Sequence, residues 1–187
     1  MFSVRRVFSG VVQLSQVRSV SNLFEVFPST FSKPQFVVNE RKLRKEYRQL
    51  QQQQHPDLTK NEDDTQSSLL NKAYTTLKSP LTRAQYLLKL QGVDLSDETD
   101  SQKYSQPDVL FQVLDIHEAL ESVDKEEELG AFKRENDERI RQSVAQLEEL
   151  FGSGDYEQAA RETVKLKYWV NVDNAIKNWD GSVTVMH

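Results

Sequence analysis

Two helical periods broken by a proline constrain this chain more than any other feature. Leu43, Tyr47 and Leu50 recur at spacings of four and three, and Leu69, Leu70, Ala73, Tyr74 and Leu77 do so again. Each set lines one face of an α-helix. Between them stands His55-Pro56-Asp57. Pro56 has no amide proton to give a helix and biases the residue before it away from helical geometry, so the first helix has to stop near Gln54. The spacing therefore predicts a helix over about 39–54, capped by Asn39, and a second ending at Ser79-Pro80. They form an antiparallel pair whose connecting loop displays an imidazole beside a carboxylate.

The first helix is two-faced in charge as well. At 100° per residue, Arg41, Arg44, Lys45 and Arg48 fall within about 100° of one another, opposite Leu43, Tyr47 and Leu50. One side packs and the other is a cationic ridge. Taken alone, such a ridge is most simply a solvated helix face.

Helical patterning continues through the chain. With 187 residues, 37% apolar, and only 6 Gly and 5 Pro, the composition suits helices better than a sheet with many tight turns. "NLFEVF" before Pro28 predicts one helical turn, and "LTRAQYLLKLQG" a short helix that Gly92 ends in the left-handed conformation. "VDLSDETDSQKYSQP" is polar, has no period and reads as a linker. Three longer helices follow, over about 107–123, 125–151 and 155–179, with short connections that make them antiparallel neighbours. Asp124 with Glu127 and Asp155 with Gln158 have capping-box spacing, and Gly152 and Gly154 punctuate the second junction. The expected fold is all-α: a helical-hairpin domain over 20–92, a linker over 93–106, and a three-helix bundle over 107–187.

Composition also excludes chemistry. There is no cysteine, so disulfides, thiolate metal sites and cysteine nucleophiles are impossible, and any metal chemistry served lies in a partner. No run approaches the roughly 18 apolar residues of a membrane span, so membrane insertion is not expected. Charge is unevenly spread: +3 over residues 1–19, +4 over 20–92 from 11 basic and 7 acidic residues, and −12 over 93–187 from 10 and 22. Opposite signs in the two halves suggest two different partners. Residues 20–187 carry a net −8, and no aromatic platform adjoins the ridge, which argues against nucleic acid.

The first segment, residues 1–19, contains Arg5, Arg6 and Arg18, several serines and no acid. A frayed basic terminus would look similar. The pattern also has the composition of a mitochondrial presequence, which we take as the expectation, with the matrix as destination.

His55 and Asp57 would serve as an acid/base pair or as metal ligands only with a third element, a nucleophile with oxyanion donors or further ligands. Neither His117 nor His187 stands at a zinc-like spacing, and no Gly-rich phosphate loop or nucleophile elbow is present. No catalytic residue, metal site or cofactor is assigned.

A basic amphipathic helix, HPD, and a second amphipathic helix together resemble a J-domain. The resemblance extends along the chain: "LFEVFP", "LRKEYRQLQ", "NKAYTTLKSPLTRAQYLLKLQG", "VLDIHEAL" and "VKLKYWV" are similar to the HscB family, the specialised J-proteins of iron–sulfur cluster assembly, and particularly its fungal mitochondrial type. Leu87 stands where general J-domains carry an aspartate after the tyrosine. Leu58 replaces the Lys or Arg that often follows HPD, which questions that flanking contact alone. Animal members have an N-terminal cysteine-rich zinc segment that this chain lacks. The resemblance implies that His55, Pro56 and Asp57, with Arg41, Arg44, Lys45 and Arg48, contact a mitochondrial DnaK-type ATP-dependent chaperone. Pro56 would fix the loop and Asp57 would offer a carboxylate to a chaperone arginine.

The resemblance also implies that the bundle binds the scaffold protein on which clusters are built. In the helix after Pro107, Val109, Val113, Ile116, Leu120 and Val123 form the packing seam. Leu110 and Leu114 lie about 100° to 140° from Val109, and Tyr168 is displaced from the apolar line of its own helix. Periodicity alone leaves it even whether these residues widen the core or form a surface. The family's scaffold-binding patch maps onto Leu110, Leu114 and Tyr168, surrounded by Val109, Gln112, Asp115, Glu118 and Ser122. His117 has no assigned role.

Removing residues 1–19 should yield a folded protein that isolated mitochondria fail to take up into a protease-protected matrix fraction. Protection equal to that of the full chain would refute the presequence assignment.

Overall fold

The computed structural model describes residues 21–53, 63–96 and 98–179. Among them are seven α-helices and two 3-10 turns, with no strand. Their order is a 3-10 turn at Leu23–Val26, α1 at Glu40–Gln53, α2 at Asp63–Lys78, α3 at Pro80–Leu90 and α4 at Glu98–Lys103. Then come α5 at Pro107–Glu121, a 3-10 turn at Glu126–Glu128, α6 at Leu129–Ser153 and α7 at Tyr156–Lys177. The all-helical expectation holds. Residues 1–19 and the tripeptide His55, Pro56 and Asp57 lie outside the described residues.

The N-terminal half is built on a floor of aromatics. Asn22 caps the first turn by accepting from the Phe24 amide at 3.1 Å, and the Leu23 amide donates to the Tyr86 hydroxyl at 2.8 Å. Phe24, Phe27, Phe31 and Phe36 are all buried, with Phe24 meeting Phe31 edge-on at 5.0 Å. The segment before α1 is thus a packed layer, although proline and the absence of a period make it look like loop. Asn39 caps α1, its Oδ1 accepting from the Lys42 amide at 3.0 Å. Gly92 follows α3 with φ of +84°, the left-handed turn expected of it.

Helix α7 is the axis of the molecule: α3, α5 and α6 all pack against it. Asp155 caps it through the Gln158 amide at 3.1 Å, and Gly154 closes α6 at φ +78°, as the sequence predicts. Its buried residues include Ala159, Ala160, Thr163, Val164, Leu166, Trp169, Val172 and Ile176, which cover nearly every side of the helix. Ala159, Ala160, Val164 and Leu166 join a core that reaches back through Leu87, Leu88 and Ala84 of α3 to Phe24. Further along, Trp169, Val172 and Ile176 join a second cluster with Val109 and Leu120 of α5. The N-terminal half and the bundle therefore share one continuous core.

Leu87 shows why that matters. It is 6% exposed within the shared core. An aspartate there would be a buried charge without a partner, so covering this side of α3 demands an apolar residue.

Two local expectations are corrected. The 93–106 segment connects the halves but contains α4, and Leu95 and Tyr104 are buried on either side of it in the shared core. Two widely spaced apolar anchors leave no period to read. Asp124 does not cap a helix. Lys125 precedes the 3-10 turn at Glu126–Glu128, and α6 begins only at Leu129, without a side-chain cap.

Because the core is shared, damage in α3 should be felt in the bundle. Leu88→Ala removes a side chain with no exposed surface and should cost roughly 2–5 kcal/mol. The buried Trp169 should report the loss at the same denaturant midpoint as helical circular dichroism. Two separate transitions would contradict a continuous core.

Candidate functional sites: a cationic ridge and an apolar strip

The ridge on α1 is displayed by what its opposite face holds. Leu43 is buried and Tyr47 stacks on Tyr74 of α2, with ring centroids 3.9 Å apart and planes 8° from parallel. The Tyr47 hydroxyl donates to Asn71 Oδ1 at 2.8 Å and accepts from Gln51 Nε2 at 2.6 Å. Between these residues sits Glu46, 6% exposed, accepting from the Ser29 amide at 2.8 Å and the Thr30 hydroxyl at 2.7 Å. Apolar periodicity could not reveal Glu46, since its partners come from the preceding loop. It fixes the rotation of α1 about its own axis.

With that rotation set, Arg41, Arg44, Lys45 and Arg48 are all exposed. None of the four forms an ion pair among the described residues. Four neighbouring exposed cations that form no ion pair among the described residues create a positive field at the surface.

The second surface lies on α5. Pro107 starts this helix at a position where its missing amide proton costs nothing. The seam packs inward: Val109, Leu120 and Val123 are buried, and Val113 and Ile116 are half-buried. Leu110 and Leu114 face out, 37% and 62% exposed. Phe111, which the spacing of Leu110 and Leu114 does not point to, is 65% exposed. On a helical wheel it stands about 60° from Leu114, so the strip has three members and an aromatic edge.

Tyr168 of α7 is half-buried, packs against both core clusters, and brings its hydroxyl within 3.3 Å of Ser105 Oγ just before α5. Of the surrounding residues, Gln112, Asp115, Glu118 and Ser122 are exposed, and the Ser122 hydroxyl donates to the Ala119 carbonyl at 2.7 Å. Val109 is different. At 7% exposure it supports the strip from beneath. Every charged residue of α5 is acidic: Asp108, Asp115, Glu118 and Glu121. Exposed large apolar side chains grouped in a polar, acidic surround make this face a candidate binding surface.

Among the described residues, no group of three or more acidic or histidine side chains is placed to hold a metal. An open groove of about 520 Å³ lies between the start of α6 and the end of α7, lined by Leu129, Lys133, Ile176 and Trp179. It contains none of the candidate residues. No described helix is long and apolar enough to cross a membrane.

A basic helix in an antiparallel hairpin, joined through α3 to a bundle that bears an apolar strip, is the architecture of a J-domain protein with a helical second half. Comparison with known proteins agrees: residues 35–86 match the DnaJ domain and residues 105–177 match the HSCB C-terminal oligomerisation domain. The mitochondrial J-type co-chaperone JAC1 of Saccharomyces cerevisiae is 45% identical over 171 residues, covering 89% of this chain and 92% of that protein. The iron-sulfur cluster co-chaperone HscB of Mus musculus is 34% identical over 76% of this chain and 63% of its own length. A solved structure of the Saccharomyces cerevisiae Jac1 co-chaperone superposes with a TM-score of 0.79 at 42% identity, covering 90% of this chain and 99% of that one. The human HscB structure gives 0.72 at 27% identity, covering 81% of this chain and 80% of that one. The chain belongs to the HscB/Jac1 family of J-type co-chaperones.

The fully exposed members of the two surfaces do not support the fold. Arg44→Glu with Lys45→Glu, or Phe111→Ala with Leu114→Ala, should shift unfolding stability by no more than about 1 kcal/mol. A larger loss in denaturant titration would show that the altered side chains are structural.

Proposed function

We propose that this protein stimulates ATP hydrolysis by a mitochondrial DnaK-type chaperone and delivers to it an iron–sulfur cluster scaffold protein, in the mitochondrial matrix. The observation that carries the reading is the pairing of two differently built surfaces on one shared core. A ridge of four exposed cations on α1 faces solvent, and an apolar strip on α5 faces solvent elsewhere. His55, Pro56 and Asp57 follow the ridge in sequence and contact the chaperone together with Arg41, Arg44, Lys45 and Arg48. Leu110, Leu114 and Tyr168 anchor the scaffold, Phe111 extends the anchor, and Gln112, Asp115, Glu118 and Ser122 form its rim. The protein works through its partner's ATPase and makes no covalent bond of its own.

The physics of the surfaces assigns different roles. Exposed charges act at a distance and accelerate encounter, so the ridge governs how fast the chaperone is found, more strongly at low salt. Buried apolar anchors govern how long a complex lasts.

Chaperone ATP turnover measured with this protein, with and without scaffold, tests the reading. His55→Gln or Asp57→Asn should abolish stimulation while leaving the circular dichroism spectrum intact. Truncating Leu110, Leu114 and Tyr168 together to alanine should weaken scaffold binding by several orders of magnitude, since such anchors are commonly worth about 2 kcal/mol or more each and add imperfectly. Stimulation without scaffold should survive that truncation. Full stimulation by the loop variants, or normal scaffold binding by the truncated strip, would overturn the corresponding half of the assignment.

A further inference from the structure

Arg83 of α3 is 3% exposed, an uncommon position for a guanidinium. Its Nη1 donates to the Leu77 carbonyl at 2.6 Å and to the Lys78 carbonyl at 3.3 Å, the last two residues of α2. These carbonyls have no partner within their own helix, and a cation suits that end of the helix dipole. The guanidinium carbon also lies 5.0 Å from the centroid of the Phe36 ring. Phe36, 4% exposed, in turn stacks on Phe151 near the end of α6, with centroids 5.2 Å apart and planes 19° from parallel. The chain of contacts thus runs from the end of α2, through a buried cation and the loop before α1, into the bundle.

We propose that Arg83 is a positioning residue: through Phe36 and Phe151 it fixes the angle between the cationic ridge and the apolar strip, so that a client on the strip meets the chaperone in one orientation. The proposal deepens the functional reading given above and rests on it. The rest of the shared core cannot set the angle as sharply. Contacts such as those of Leu87, Leu88, Ala160 and Val164 are apolar, and apolar burial is non-directional. Arg83 is directional, because two carbonyls at the end of α2 orient its plane and the plane orients Phe36.

The cost of keeping it supports this role. Burial is the main influence on the Arg83 guanidinium and pushes its pKa down to about 10, against a smaller upward pull from Glu40. A well-packed apolar side chain of similar volume is often no less stabilising than a buried ion, so filling the space does not require a guanidinium here, whereas its bonds to the α2 carbonyls do.

The natural absence of cysteine makes the test clean. Gln49→Cys on α1 and Gln142→Cys on α6, both exposed positions outside the proposed surfaces, would carry a pair of spin labels for pulsed-EPR distance measurement. The otherwise unchanged protein should give one narrow distance distribution. Arg83→Met, and separately Phe151→Ala at the bundle end of the stack, should broaden it while thermal unfolding stays cooperative. In the same variants, stimulation by the protein alone should be unchanged, and the additional stimulation seen with scaffold should fall about threefold to tenfold.

Arg83→Lys adds a discriminating arm. Lysine keeps a donor for the α2 carbonyls but loses the plane, so the broadening should persist. Restoration of the narrow distribution by lysine would reduce Arg83 to a helix cap and overturn the proposal. So would an unchanged distribution in Phe151→Ala, which decides the matter even if Arg83→Met fails to fold. Broadening with undiminished scaffold-dependent stimulation would also refute it, because the angle would then have no consequence. If the unchanged protein stimulated no chaperone, the functional reading would fail, and the role of Arg83 in client presentation would fall with it. The EPR widths would still report separately whether the stack holds the angle.

Discussion

Burial of α7 on nearly every side is the constraint on which the molecule depends. A surface helix hides one stripe and leaves the rest to water, but α7 has to satisfy α3, α5 and α6 at once. Its polar residues are accommodated individually. The Thr163 hydroxyl donates to the Ala159 carbonyl at 2.6 Å, and Glu162, 5% exposed, meets Lys165 at 3.3 Å. Asn136 of α6 donates its amide to the Trp169 carbonyl at 2.9 Å, and the Arg139 guanidinium lies 5.5 Å from the Trp169 ring centroid. These directional contacts set the register of α6 along α7, while apolar residues supply the bulk of the attraction.

Elements with local signals were legible in the sequence. Asn39 and Asp155 announced their helices as caps, Gly92 and Gly154 announced helix ends, and the seam of α5 followed from simple spacing. What the sequence concealed was mostly non-local. Glu46 looks like one more charge on a charged helix until Ser29 and Thr30 are brought to it by the aromatic floor. Leu95 and Tyr104 stand in a polar stretch and acquire meaning only when the shared core closes around them. Asp124 failed for a local reason, since a 3-10 turn intervened where an α-helix was expected. Phe111 lies off the one-turn spacing that relates Leu110 to Leu114, so a period of four does not reveal it although a helical wheel does. The surfaces themselves were half legible: the ridge is a property of α1 alone, while exposure of the α5 strip depends on nothing else covering it.

The two surfaces also differ in how they tolerate change. The ridge spreads its effect over four exposed cations whose fields overlap, so loss of one leaves much of the potential in place. The strip concentrates its exposed apolar area in a few large side chains, so loss of one removes a sizeable share of that area. Their common foundation in the shared core means that neither half can be repacked without regard to the other.

The aromatic floor has a consequence for how far the chain can be shortened from its amino-terminal side. The Leu23 amide is held by Tyr86, and Phe24, Phe27 and Phe31 lie in the shared core. Any shortening of the chain from its amino-terminal side that leaves this floor intact has to stop before Leu23. Cutting further in would strip away a layer that α1, α2 and α3 are built upon, so the fold itself sets the inner limit.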